Sequence, residues 1–404
     1  MRISSAQLHD ASVRAMTSQQ ASLSKVAEQV AAQRRVLSPA DDPVASSREV
    51  GLDVSLRASQ QMQKNQADLE GQLQQTQNYL DQATDVLSAF KSSIVKAGSG
   101  VLSESDRATV VADMKALREQ MLALANTQDE SGNFVFAGYK QDSQPFTRTA
   151  AGVVYGGDSG VRQSQVGPNR FIDANFSGAY LFGSAITGKS GVVATAGESN
   201  TGGLLLTAST VFDRTAWGND KALGPFSVSF GADGAYSVTD ADGQPYADGT
   251  LAAGAASLDI AGVRLSFSGA PKAGDTLCVL AAGSQSIFHT MDQALAVLRM
   301  PESSQESARR GNALFALSAN IDGGMDRILE AITSLGSRMV EVNAAQDADS
   351  ARSVALSSEL VRVVGADEAT QAELASNFIQ GKLNVERAQL TYTTIAKLSI
   401  FNYL

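Results

Sequence analysis

The sequence predicts a mainly α, elongated helical bundle or coiled coil built from both chain ends. An all-β domain, a small antiparallel sandwich or barrel, is inserted between them. Three observations lead there. Of 35 glycines, 6 fall in residues 1–140, 22 in 141–280 and 7 in 281–404. A glycine inside a helix costs about 1 kcal/mol, so the flanks suit helices and the middle does not. Pro145, Pro168, Pro225, Pro245 and Pro271 lie in the same middle region. Finally, apolar residues recur in the flanks at alternating steps of four and three, the spacing of a helical seam, whereas in the middle they alternate one by one.

Residues 1–37 carry Ile3, Leu8, Val13, Met16, Leu23, Val26 and Val30 among serine, glutamine and alanine, an amphipathic helix. The next helix opens at Asp42-Pro43, with the aspartate as cap and the proline at the first helical position. Its seam is Leu69, Leu73, Thr76, Leu80, Ala83, Leu87, Phe90 and Ile94, and it closes near Gly98-Ser99-Gly100 after Lys96. At 1.5 Å per residue such a helix is roughly 80 Å long, too long to be buried in one compact domain. Ser103-Glu104-Ser105-Asp106 resembles a capping box and starts a third helix. Val110, Met114, Leu117, Met121 and Leu124 form its seam. The short connection predicts an antiparallel hairpin.

Strands are expected at Phe226–Phe230, Tyr236–Val238 and Val263–Phe267, separated by turns at Asp233-Gly234 and Asp242-Gly243. Beyond them Ile287, Met291, Leu295 and Leu298 mark a short helix ended by Pro301. A long seam follows: Ile321, Met325, Ile328, Ile332, Leu335, Met339 and Val342. The last segment, 368–404, holds Leu374, Phe378, Leu383, Leu390, Ile395, Leu398 and Phe401. Three domains are expected. Residues 1–40 and 365–404 form terminal assembly helices, disordered in the monomer and coiled in the assembly. Residues 41–140 and 285–364 form the helical rod, and 141–284 the β-rich outer domain. The expected rod core is Leu69, Leu73, Leu80, Leu87, Ile94, Met114, Leu117, Met121, Leu124, Ile328, Ile332, Leu335 and Met339. The expected assembly interface is Ile3, Leu8, Met16 and Leu23 with Leu374, Phe378, Leu383, Leu390, Ile395, Leu398 and Phe401.

Composition excludes several functions. The formal charge is −10 and the pI about 4.8, so nucleic acid is not an expected partner. The single cysteine, Cys278, makes no internal disulfide, and with only His9 and His289 there is no zinc cluster. Cys278 in Leu277-Cys-Val-Leu280 reads as a buried strand residue; both histidines read as exposed or interfacial. No catalytic residue, metal or cofactor is expected, and the chain is not expected to be an enzyme. No membrane span is expected, and charged residues from Arg2 to Glu28 break any cleaved secretory signal. One formal motif, Gly183-Ser-Ala-Ile-Thr-Gly188-Lys189-Ser190, fits a phosphate-cradling loop. The glycine- and valine-rich run behind it does not suit the helix such a loop requires, so chance explains the match better.

Three stretches carry a family resemblance. Met1-Arg2-Ile3-Ser4 with Arg35-Val-Leu-Ser-Pro39-Ala-Asp-Asp-Pro43, Gly132-Asn-Phe-Val-Phe-Ala-Gly-Tyr-Lys140, and Leu398-Ser-Ile-Phe401 resemble the bacterial flagellin superfamily and, within it, the hook–filament junction proteins. The resemblance implies an extracellular structural protein of the flagellum, exported unfolded through the flagellar type III apparatus. It implies a layer between hook and filament that templates flagellin. The implied partners are the first hook-associated protein, flagellin, further copies of the chain, and an export chaperone on the C-terminal segment. A flagellin-type filament subunit is the first alternative; Pro39, Pro43 and the Phe134–Tyr139 run weigh against it. A non-flagellar coiled-coil scaffold or signalling protein is the second.

Overall fold

The computed structural model describes residues 5–98, 103–150, 152–188, 191–197, 199–252, 254–300 and 304–401. The helices are α1 (Ser5–Ala32), α2 (Pro43–Gly98), α3 (Glu104–Ala125), α4 (Arg214–Asp220), α5 (Ile287–Val297), α6 (Ser304–Val364) and α7 (Glu368–Phe401). Between α3 and α5 come β1 (Phe146–Thr149), β2 (Gly152–Tyr155), β3 (Gln163–Gly167), β4 (Arg170–Asp173), β5 (Ala185–Ile186), β6 (Val192–Ala196) and β7 (Leu205–Val211). After α4 follow β8 (Phe226–Phe230), β9 (Ala235–Thr239), β10 (Pro245–Thr250), β11 (Ser257–Ile260), β12 (Val263–Ser268), β13 (Thr276–Ala281) and β14 (Ser284–Gln285). This is the mainly α architecture with an inserted antiparallel β region that the sequence predicts. The chain divides into two compact units, Met1–Gln66 with Val166–Pro168 and Asn343–Leu404, and Ala67–Gln165 with Asn169–Val342.

In the first unit, Pro43 is the first residue of α2 and the Asp42 carboxylate accepts the Ala45 N–H at 2.9 Å. This is the cap expected at Asp42-Pro43. The Ser59 hydroxyl donates to Asp349 across α2 and α6 at 2.8 Å, with both residues buried. Gly365 ends α6 at a φ of 65°, a conformation suited to glycine. A Cβ there would lie 2.5 Å from the Arg35 Cβ. Asp367 then caps α7, accepting the Thr370 N–H at 3.0 Å.

The second unit holds the apolar stripe of α2. Leu69, Leu73, Leu80, Leu87, Phe90 and Ile94 are all at most 2% exposed, and α6 runs antiparallel to this stretch. Lys91 pairs with Asp322, and a Cβ added at Gly98 would lie 4.0 Å from Leu314. At the start of α3 the Ser103 hydroxyl accepts the Asp106 N–H at 3.2 Å, consistent with the sequence signal. Within the Gly132–Lys140 run Phe136 and Ala137 are buried. Phe136 meets Phe182 edge-on at 5.3 Å, and Phe146 meets Phe182, Phe288 and Tyr155 at 5.8, 5.3 and 5.0 Å. The two Phe182 contacts are edge-to-face and the other two tilted, and such ring pairs add to burial.

Two sheets face each other over one core in the same unit. One has the order β10-β9-β8-β13-β6, the other β11-β12-β7. Val228, Phe226, Leu277 and Val279 from the first meet Leu206, Val263, Leu265 and Phe267 from the second in one buried cluster, so the insertion is a sandwich. Ala261 and Gly262, both at positive φ, make the two-residue turn between β11 and β12. Cys278 departs from expectation. Leu277 and Val279 point into the core, so with the period of two Cys278 faces the other side of β13 and is only half-buried. Burial pushes its thiol up from the ordinary value.

Candidate assembly surface

The segment joining α1 to α2 is a compact clamp on the end of α6. The N–H groups of Arg35 and Val36 both donate to the Val364 carbonyl, at 2.9 and 3.2 Å. Gln29, buried near the end of α1, donates to the Arg35 carbonyl at 2.5 Å. Val36, Ala45 and Val363 make a small apolar core beneath. Asp41 accepts the N–H groups of Leu37 and Ser38 at 3.0 and 2.9 Å and pairs with Lys25 of α1 at 2.6 Å. Lys25, followed by those two N–H groups, holds the Asp41 carboxyl well below its ordinary 3.8. The Ala45 N–H first, and Arg35 next, lower Asp42. Asp367 is lowered by the Thr370 N–H and hydroxyl. Each of these carboxylates works as a charged acceptor that ties down backbone N–H groups. Asp42 fills the capping role that its place before Pro43 predicts, whereas spacing predicts no role for Asp41. The signal was present in Ser38-Pro-Ala-Asp41, because a carboxylate three residues on can reach back to exposed N–H groups.

Helices α1 and α7 pack on each other. Gly365 abuts Arg35 near one end, and further along Leu23 lies 3.2 Å from a Cβ position at Gly381, so the two helices run antiparallel. Leu374 and Val385 are 5% and 7% exposed and Phe378 is half-buried. At 100° per residue these three and Gly381 share one face of α7. Ile379, Leu383 and Leu390, 60%, 46% and 68% exposed, fall on the opposite face. The residues grouped by sequence into one terminal interface therefore divide between two sides of one helix. Met16 and Leu23 of α1 are half-buried. Ile3 lies outside the described residues, as do the side chains of Leu8, His9, Ile395, Leu398 and Phe401.

Of the seam residues singled out by spacing, Leu69, Leu73, Leu80, Leu87, Ile94, Met114, Met121, Ile328 and Leu335 are buried. Leu117, Leu124, Ile332 and Met339 are half-buried. One feature carried no sequence signal. Arg118 of α3 is 5% exposed at its side chain and grips Asp292 of α5 through two bonds, at 2.9 and 3.0 Å. Burial opposes its charge, but Asp292 and Glu119 together outweigh that and raise its pKa. The partner lies 174 positions away, so local spacing could not reveal it. Similarly, Arg327 and Arg338 of α6 stack on Tyr180 and Phe176 at 4.6 and 4.2 Å from the ring centres.

The phosphate-loop pattern is followed by β6 rather than a helix, so no ring of helix N–H groups stands behind it; Lys189 and Ser190 lie outside the described residues. His289 is exposed on α5. Among the described residues there is no group of three metal-ligating side chains, and no helix is long and apolar enough to cross a membrane.

Residues 3–141 match the bacterial flagellin N-terminal helical region. The flagellar hook-associated protein 3 of Salmonella typhimurium is 34% identical over 184 residues, which make up 46% of this chain and 57% of that protein. The chain thus spans little more than half the length of that relative. A crystal structure of FlgL from Xanthomonas campestris superposes with a TM-score of 0.70 at 29% identity, covering 77% of this chain and 99% of that one. The flagellar junction protein FlgL from Legionella pneumophila gives 0.68 at 26% identity, covering 78% and 100%.

Proposed function

We propose, from its likeness to flagellar hook-associated protein 3 in sequence and fold, that this chain is a structural subunit of the bacterial flagellum. It forms the layer between hook and filament on which flagellin assembles. Its partners are the first hook-associated protein, flagellin and further copies of itself, and it acts by assembly rather than by catalysis. It reaches the outside through the flagellar type III apparatus, with a chaperone on its C-terminal segment during export.

The observation that carries this reading is the two-sided terminal helix. One face of α7 is closed by α1, while Ile379, Leu383 and Leu390 on the other remain exposed. An exposed aliphatic stripe recovers about 25 cal/mol for each Å² that a neighbour covers. Contacts between unlike surfaces that do not close into a ring propagate a helical tube, the geometry such a layer needs. The clamp at Arg35–Pro43 fixes the angle at which the α1–α7 pair leaves α2 and α6, so every copy presents its stripe alike.

Electron microscopy of cells lacking the gene tests the proposal. Hooks without filaments, with flagellin shed into the medium, is the expected result; normal filaments on the mutant would refute it. Long filaments grown from the purified chain alone would point instead to a filament subunit.

A further inference from the structure

A groove lies between α3 and α5 beside the β1–β2 ribbon, enclosing about 780 Å³. A second hollow of about 470 Å³ continues it along α3 and shares Lys115 and Arg299 with it. Four cationic side chains line the larger part: Lys115, Arg118, Arg148 and Arg299. Its two carboxylates are already engaged. Asp292 holds Arg118, and Glu119 bridges Arg118 and Arg148. Lys115 and Arg299 are exposed and have no partner among the described residues. The groove therefore carries uncompensated positive charge on a chain whose net charge is −10.

The complement lies on the same molecule. From Ala222 to Val263 the chain has Asp233, Asp240, Asp242, Asp248 and Asp259 but no lysine or arginine. Asp259 is taken by Arg264, and Asp240 turns back onto the N–H groups of Asp242 and Gln244. Asp233, Asp242 and Asp248 are exposed, with no cationic partner among the described residues. Asp242 sits in the turn of the β9–β10 hairpin and Asp248 on β10, the edge strand of the five-stranded sheet.

We propose that the β9–β10 hairpin of one copy docks its aspartates in the α3–α5 groove of a neighbouring copy, against Lys115 and Arg299. The inference rests on the reading above, in which copies lie side by side. It adds a charged contact within the second unit to the apolar contact of the terminal helices. The two surfaces are different, so each copy offers one of each and the contact repeats along an array. Charge complementarity of this sort sets register and partner choice more than raw affinity.

The test uses the full chain, concentrated, as a mixture of isotope-labelled and unlabelled copies treated with a carbodiimide, which joins an amine to a carboxylate with loss of water. Mass spectrometry is expected to find peptides linking Lys115 of one copy to Asp242 or Asp248 of another. Arg299→Glu lowers their yield by about tenfold, and so does salt that shrinks the screening length to about 3 Å. The Lys115→Glu/Arg299→Glu chain and the Asp242→Lys/Asp248→Lys chain each fail to link by themselves and link to one another when mixed. Links from Lys115 to other segments, to a different protein, or only within one copy would overturn the proposal. So would a mixture of the two reversed chains that fails to link while both keep the wild-type circular dichroism spectrum. Filament growth is scored separately in cells. Loss of the flagellar role with the links intact would refute the function proposed above and leave this contact standing.

Discussion

The seam of α2 in the second unit and the outer face of α7 in the first are both built from aliphatic residues at helical spacing, yet they have opposite fates within one chain. Leu69, Leu73, Leu80 and Leu87 are at most 1% exposed, whereas Leu390 is 68% exposed. The former stripe has α6 beside it and aromatic residues packed nearby. The latter lies on a helix that packs against α1 through its opposite side. Spacing makes a stripe; the availability of a second surface decides whether it becomes core or contact.

This contrast breaks most sharply at Leu80. Leu80→Asp places a carboxylate at a fully buried position, and an unpaired buried charge costs several kcal/mol. Chemical denaturation is expected to show the second unit unfolded. Phe136→Ala removes a ring from the aromatic cluster and is expected to cost about 3–5 kcal/mol by denaturant titration. Gly365→Ala forces a Cβ to within 2.5 Å of Arg35 at a positive φ. A loss of at least about 1 kcal/mol is expected, with proteolysis at 33–42 as its local signature.

The clamp gives a pH prediction. Asp41, Asp42 and Asp367 have depressed pKa values in the folded chain, so the unfolded chain binds protons first as pH falls. Their contribution is fully present above the ordinary carboxylate value of 3.8 and is lost as pH drops below it. Melting scans are expected to be flat with respect to these groups from pH 5 to 8 and to steepen in acid; Asp41→Asn lessens that acid dependence. The smallest effect on stability is expected at Leu390. Leu390→Asp changes the melting of the isolated chain by no more than about 0.5 kcal/mol, yet abolishes its incorporation into flagella in a complementation assay.

Much of the fold could be read from spacing and punctuation because those signals are local. Asp42-Pro43 marks the start of α2, Ser103 that of α3, and Asp242-Gly243 a hairpin turn. What could not be read depends on distant partners. No local rule pairs Arg118 with Asp292 or sets Arg338 on Phe176. Nor does spacing tell which side of α7 meets α1, since Leu374 and Leu390 have the same chemistry. Cys278 shows the same limit: a continuous apolar run conceals the alternation that turns the thiol away from the core.

Hydrogen exchange on the full chain, alone and then assembled, tests the central claim most directly. The account predicts that amides of residues 5–32 and 370–401 exchange much faster than those of residues 69–94 in the lone chain. In the assembly they become as protected as the α2 seam. Terminal helices already as protected as residues 69–94 in the lone chain, and unchanged on assembly, would contradict it.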